Sequence, residues 1–126
     1  MNRIASFHLR AATIYALAGM CWGIHMAISQ DHSQFPAHAH LNLLGWVSVF
    51  LYGLFYMHFP KAAEGWLAKV HLAAAHLGIV AMIPGVALIH GGMEDAGGPL
   101  AGIGSILVVS AMLLFSVIVF RTTAKA

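Results

Sequence analysis

Charged side chains are scarce in this chain, and their scarcity excludes a soluble domain. Only 8% of the 126 residues are Asp, Glu, Lys or Arg, whereas 60% are hydrophobic. A soluble domain carries about 25% charged residues, so this composition cannot cover a surface that faces water. The six Lys and Arg residues form no basic patch, which argues against nucleic acid as a partner. The composition predicts an integral membrane protein in contact with lipid.

Cysteine is almost missing as well, because Cys21 stands alone within an apolar run. One thiol supplies neither a disulfide framework nor a thiolate-pair metal site. Histidine is the opposite case, since nine histidines occur in a chain with few other polar groups. Cofactor or metal chemistry is therefore expected to depend on imidazole.

Apolar runs divide the chain into four segments with short loops between them, and no room is left for a soluble domain. The segments are expected at about 7–29, 38–60, 66–90 and 99–120, because a spanning helix needs about 20 apolar residues. The sequence thus predicts an all-α integral membrane protein. Residues 1–126 would form a single domain of four transmembrane helices.

The positions of the charges predict how the helices are oriented. The Lys and Arg residues lie at the amino terminus, in the second loop and at the carboxyl terminus, whereas Asp31, Glu94 and Asp95 lie in the other two loops. Cytoplasmic loops carry the excess of positive charge, so both termini are expected in the cytoplasm. The expected location is a bacterial-type inner (cytoplasmic) membrane, which the chain crosses several times.

This orientation assigns a depth to each histidine. The five at outer helix ends or in the first loop are His25, His32, His38, His40 and His90. Those toward the cytoplasmic side are His8, His58 and His71, with His76 near the middle. A histidine at a helix end reaches interfacial water at low cost, and this explanation suffices for His32 and for the three on the cytoplasmic side. His38, His40 and His90 are stronger candidates for a site.

His38 and His40 are two residues apart on the second predicted helix. A helix turns about 100° per residue, so their side chains leave it about 200° apart. They cannot both bind one small ion from a regular helix, but they can face two sites on opposite sides of it. Imidazole is a common ligand of metals and of haem, and a porphyrin is hydrophobic enough for an apolar helix bundle.

The stretch 38–60 resembles the tenth helix of haem-copper oxidase subunit I. The positions that match it in type and spacing are His38, His40, Gly53, Phe55, Phe59 and Pro60. The beginning of the stretch, with Gly45 and Trp46, is also similar to the histidine motif of the NnrS family. That family consists of membrane proteins of the same superfamily, associated with haem, copper and nitric oxide stress.

The resemblance implies a b-type haem protein. In the oxidases the first histidine of the pair ligates a high-spin haem, and the second ligates a low-spin haem on the other face. His40 is accordingly the first candidate for an axial ligand, with His38 and His25 as further candidates. His90 matches a region where the oxidases place copper ligands, so the expected metal is haem iron with copper left open, and the expected metal ligands are His40, His38 and His90.

Two features of the oxidases are missing from the sequence. No segment resembles their His-Pro-Glu-Val-Tyr copper motif, and no Asp, Glu or Lys lies deep in a helix to conduct protons. Complete reduction of oxygen is therefore not expected, and a narrower oxidoreductase activity is left open. Electron transfer or binding of a diatomic gas (NO or O2) are the expected uses, with a quinol or a redox protein as a candidate partner.

Two other functions compete with haem binding. One is a bundle that binds or transports copper or zinc through imidazole and thioether ligands. Its ligands would be His25, His38, His40, His90 and Met93. The other is a structural or accessory subunit whose histidines merely face interfacial water.

The resemblance also implies self-association. Subunit I of the oxidases has twelve helices in three arcs of four, and this chain supplies one arc. Three copies about a closed axis would rebuild the whole, with His38 facing one pocket between copies and His40 the next. Small-residue spacings at 19–23 and 98–102 are faces that neighbours could approach closely. A homotrimer is expected first and a dimer second.

Overall fold

The computed structural model describes residues 1–124, which form four long helices connected by short turns. The helices are α1 (Arg3–Ser29), α2 (Phe35–His58), α3 (Trp66–His90) and α4 (Glu94–Thr123). Each is long and apolar enough to cross a membrane. No strand occurs among residues 1–124, so the prediction of an all-α chain with four membrane-length helices is confirmed.

Three helices begin earlier than the apolar runs predict. α1 begins at Arg3, because the Asn2 side chain accepts a hydrogen bond of 2.8 Å from the backbone N–H of Ala5. α2 begins one residue before Pro36, and proline suits a first turn since its missing N–H needs no partner there. α4 begins at Glu94, where acidic side chains favour the helix dipole. A side-chain cap in α1, a proline in α2 and acidic residues in α4 thus favour helix starts beyond the apolar parts.

The helix α2 changes its winding along its length. Phe35–His40 is α-helical, Leu41–Ser48 is π-helical and Val49–His58 is α-helical again. Such π segments are rare and are found frequently at functional sites. The pair at positions 38 and 40 lies in the regular part immediately before the irregular one.

Two ends of the bundle can be defined from hydrogen bonds between its segments. At one end the Gln34 side chain donates to the carbonyl oxygen of Ala87 at 3.2 Å, which joins the α1–α2 loop to the end of α3. At the other end the Asn2 side chain donates to the carbonyl oxygen of Tyr56 at 2.7 Å. These are called the His40 end and the Asn2 end below.

The helices pack mainly on their neighbours in chain order. Extensive contacts join α1 to α2, α2 to α3 and α3 to α4, and no comparable contact joins α1 to α4 within residues 1–124. Glycines bring α3 and α4 together, because a Cβ on Gly85 would collide with the backbone of Ala101 and one on Gly104 with that of Met82. The two outermost helices, α1 and α4, are therefore free to meet other molecules.

The two expected small-residue faces differ in the structure. Gly19 packs against the side chain of Asn42, and a Cβ on Gly23 would lie 3.1 Å from the His38 ring, so this face is filled by α2. The expectation that it is available to a neighbouring copy is wrong, because α2 already covers it. Gly98 and Gly102 have open space around them and stay available.

Large hydrophobic side chains cover the outside of the bundle. Ile14 on α1, Leu51 on α2, Leu77 on α3 and Val109 on α4 are each more than half exposed. So much exposed apolar surface is unfavourable in water and suits a lipid environment. Together with the lengths of the helices, it indicates a multi-pass membrane protein.

Candidate functional site

His40 is an exposed histidine with one free ring nitrogen. Its Nδ1 lies 2.7 Å from the carbonyl oxygen of Pro36, one helical turn earlier. A carbonyl oxygen can only accept, so Nδ1 carries the proton and donates it, and Nε2 of the neutral ring keeps its lone pair. Histidines that ligate a metal usually have this arrangement, with one N–H held by an oxygen and the other nitrogen free.

An apolar groove of about 460 Å³ lies beside His40. The residues that line it come from α2, α3 and α4, and they are Ala39, His40, Leu43, Leu44, Met82, Ser105, Val108 and Val109. Sites for small molecules commonly have volumes of about 300–1,000 Å³ and mostly apolar walls. The groove is open on its outer side, so anything bound there would need lipid or another protein as its second wall.

His38 faces α1 instead of this groove. Its ring lies against Gly23, where a side chain would leave too little room. The side-chain nitrogen of Asn42 lies 3.4 Å from both ring nitrogens of His38 and donates to the His38 carbonyl oxygen at 2.9 Å. The two histidines therefore have different neighbours on different sides of α2, as their spacing predicts.

The other histidines expected at this end do not join them in one cluster. His25 and His90 are exposed, and His90 is the last residue of α3. Within residues 1–124, no three His, Cys, Asp or Glu side chains are grouped so that they could hold one metal ion. The structure thus does not assemble the expected copper or zinc ligands, Met93 among them, into a single coordination shell.

A second group of histidines lies buried near the Asn2 end. His8 and His71 are completely buried, with 0% exposure, so the interpretation of these two as interfacial residues is wrong. It assumed that a histidine near a helix end meets water, whereas the rings point into the bundle. His58 and His32 are exposed, as that interpretation expects.

Tyrosines and histidines from three helices form a hydrogen-bonded network around this buried pair. The hydroxyl of Tyr15 lies 3.0 Å from Nδ1 of His76, and Nε2 of His76 lies 3.1 Å from Nδ1 of His8. The hydroxyl of Tyr56 lies 3.0 Å from Nδ1 of His71. The network gives most of these buried polar atoms a partner, as a low-dielectric interior requires.

One sequence signal could have indicated the network. His8 and Tyr15 are seven residues apart, and Tyr52 and Tyr56 are four apart, so each pair lies on one face of its helix. Tyrosine and histidine repeated on one face of an apolar helix indicate that this face is buried against polar partners. A hydroxyl or a ring nitrogen that faced lipid instead would cost free energy. The pairing between helices is not visible in these spacings.

A cavity of about 590 Å³, larger than the groove at His40, lies at the Asn2 end. It is lined by His58, Phe59, Pro60, Lys61, Ala62, Arg121 and Thr122. None of the expected ligand histidines is among them, and the lining is cationic where a porphyrin would need apolar walls. The groove at His40 is therefore the better candidate for a cofactor site despite its smaller volume.

Comparison with protein-family models, with curated proteins and with solved structures found no match to this chain.

Proposed function

We propose that this chain is a b-type haem protein of the membrane, with His40 as an axial ligand. The observation that carries the proposal is the hydrogen bond from Nδ1 of His40 to Pro36, which leaves Nε2 free beside an apolar groove. Neutral imidazole of this kind is a usual axial ligand of haem iron. When bound, haem would supply an iron centre that exchanges an electron or binds a diatomic gas.

The residues of the groove fit a porphyrin in character. Eight residues line the groove, and one of them is the proposed ligand His40. Of the other seven, only Ser105 carries a polar side chain, so the lining suits a mostly hydrophobic ring. In this proposal the chain holds His40 in one tautomer and offers apolar contacts to the ring. His38, His25 and His90 are the further candidates for a second ligand of the iron or for a copper ion nearby.

The open side of the groove supports a homo-oligomer. One chain provides walls from α2, α3 and α4 only, and α1 and α4 do not pack on each other. A neighbouring copy could supply the missing wall, and closed cyclic symmetry would let every copy do so. We propose a trimer first and a dimer second, in a bacterial-type inner membrane with both termini in the cytoplasm, where the Lys and Arg residues would lie.

The spectrum of purified protein from haem-supplied cells tests the haem proposal. The wild-type chain should show a Soret band, and His40→Ala should retain less than about a tenth of its haem, because an axial ligand is lost. His58→Ala is the matched control, since His58 is also exposed but lies at the Asn2 end. A colourless wild-type protein, or equal haem content in both variants, would contradict the proposal.

The assembly is tested separately by the mass of the haem-loaded protein in detergent. Light scattering corrected for bound detergent should give three chains per particle. A particle of one or two chains would contradict the trimer and leave the haem measurement unaffected.

A further inference from the structure

Two nitrogen atoms in the buried network have no partner. Nε2 of His8 and Nε2 of His71 make no hydrogen bond within the described residues, although both side chains are completely buried. A buried polar atom without a partner costs about 1–3 kcal/mol, and such atoms are rare in native proteins. The two atoms belong to neighbouring rings, so one ligand placed between the rings would satisfy both.

The separation of the two rings allows one metal ion between them. Their centroids are 5.4 Å apart, and the planes are inclined by 41°. A metal–nitrogen bond of about 2.0 Å places the centroid of a ligating imidazole about 3 Å from the metal, so two such rings have centroids no more than about 6 Å apart. The observed separation lies within this limit.

The other nitrogen of each ring is already held. Nδ1 of His71 lies beside the Tyr56 hydroxyl, and Nδ1 of His8 lies beside Nε2 of His76, whose own Nδ1 lies beside the Tyr15 hydroxyl. If each Nδ1 carries its proton and donates, all three rings are neutral and both unpartnered Nε2 atoms have lone pairs. Ligating histidines are usually oriented in this way by a second hydrogen bond.

The surroundings favour an ion of low charge. The Asp and Glu side chains of the chain are all exposed, and they are Asp31, Glu64, Glu94 and Asp95. No carboxylate is therefore available to neutralise a buried cation, so a monovalent ion costs less free energy here than a divalent one. Copper binds imidazole well, and its monovalent form accepts two ligands.

Aromatic rings enclose the pair of histidines. The ring of Tyr52 lies 4.6 Å from that of His71 and 5.8 Å from that of His8, between centroids. The ring of Phe115 stacks on His71 at 5.3 Å. Such surroundings exclude bulk water, which protects the monovalent state of copper.

We propose that His8 and His71 bind a single copper(I) ion through their Nε2 atoms. This site lies at the Asn2 end, involves none of the residues proposed to hold haem, and does not rest on haem binding. A bridging water molecule would satisfy the same two nitrogens, and the experiment separates the two cases.

Copper(I) binding by the full haem-free chain tests the proposal. Under anaerobic reducing conditions in detergent, and against a coloured copper(I) chelator, the wild-type chain should retain one equivalent of copper. His8→Phe and His71→Phe should each weaken binding by at least about tenfold, as loss of a ligand requires. His58→Phe is the control, because His58 is exposed and outside the network, and it should bind as the wild type does.

X-ray absorption of the copper-loaded wild-type chain adds a measurement that needs no variant to fold. We expect only nitrogen neighbours, with the outer scattering of imidazole. Sulfur bonded to the copper would assign the ion to a cysteine or methionine side chain and overturn the proposal. Release of all copper to the chelator would indicate water at the site and would also overturn the proposal. Unchanged copper affinity in both variants, or retention of zinc in preference to copper(I), would overturn it as well.

Discussion

His8 and His71, near one end of the bundle, and His40, near the other, meet opposite surroundings. His8 and His71 are completely buried, and one nitrogen of each is bonded to another side chain. His40 is exposed, and its bonded nitrogen uses a carbonyl oxygen of its own helix. A buried ring depends on partners from other helices, so it ties the fold together. A ring that is bonded only to its own helix connects no helices, so it is available to a ligand.

The largest effect that separates the two ends should appear in the stability of the haem-free protein. His71→Ala removes a buried ring and leaves the Tyr56 hydroxyl without its partner, so unfolding should become easier by about 3 kcal/mol. His40→Ala removes an exposed ring and should change stability by less than about 0.5 kcal/mol. Denaturant unfolding in detergent, followed by circular dichroism, measures both.

Equal losses in these two variants would contradict the comparison between the ends. A large loss for His40→Ala alone would reverse it, because the exposed ring would then be the structural one.

A smaller effect tests the network by itself. Tyr56→Phe removes a hydroxyl that is bonded to His71 and should cost about 1–2 kcal/mol. Tyr52→Phe is the matched control on the same helix, because the hydroxyls bonded to histidine rings are those of Tyr15 and Tyr56, whereas the Tyr52 ring packs edge-on against His71. The same unfolding measurement applies, and a cost for Tyr52→Phe as large as that for Tyr56→Phe would argue against the network as the source of stability.

The smallest expected effect concerns the pKa of Asp31, in the loop between α1 and α2 at the His40 end. The backbone N–H of Ser33 donates to the Asp31 carboxylate at 2.9 Å and, with the Ser33 side chain, holds the pKa of Asp31 below its ordinary value. Because the pKa of Asp31 is lowered, the stabilisation by its ionised carboxylate is fully present above the pKa that Asp31 has in the unfolded chain. This stabilisation is lost as the pH falls through the lower pKa that Asp31 has in the folded chain.

A carboxyl titration by NMR should therefore place the midpoint of Asp31 below that of a free aspartate. Ser33→Gly keeps the backbone donor and removes the side-chain hydrogen bond, so it should raise the midpoint only part of the way. A midpoint at or above the ordinary value in the wild-type chain would contradict the loop geometry.

The sequence predicts the four helices well because lipid imposes a simple rule on their length and composition. It predicts their starts less well, since Asn2 and Glu94 belong to helix ends through capping and the helix dipole, which apolar runs do not reveal. The separate neighbours of His38 and His40 also follow from the sequence, because the angle per residue is a local property of a helix.

The buried network could not be predicted in the same way. A depth along the helix axis places His8 and His71 near an end, but it does not tell which way either ring points. That direction depends on how α1, α2 and α3 are rotated against one another. Rotation of this kind is set by packing between helices, as at Gly53, where a Cβ would lie 2.7 Å from the Leu9 side chain.

The π-helical segment Leu41–Ser48 sets the angular phase between the two ends of α2. A π turn takes up about one more residue than an α turn, so the eight residues, which make nearly two turns, accumulate a lag of roughly one to two residues, or about 100–200°. A deletion that returned the segment to α-helical winding would rotate Tyr52 and Tyr56 away from His8 and His71. His38 and His40, which precede the segment, would keep their directions. Eight residues of wider winding within α2 thus suffice to let a single helix serve two sites on unrelated faces.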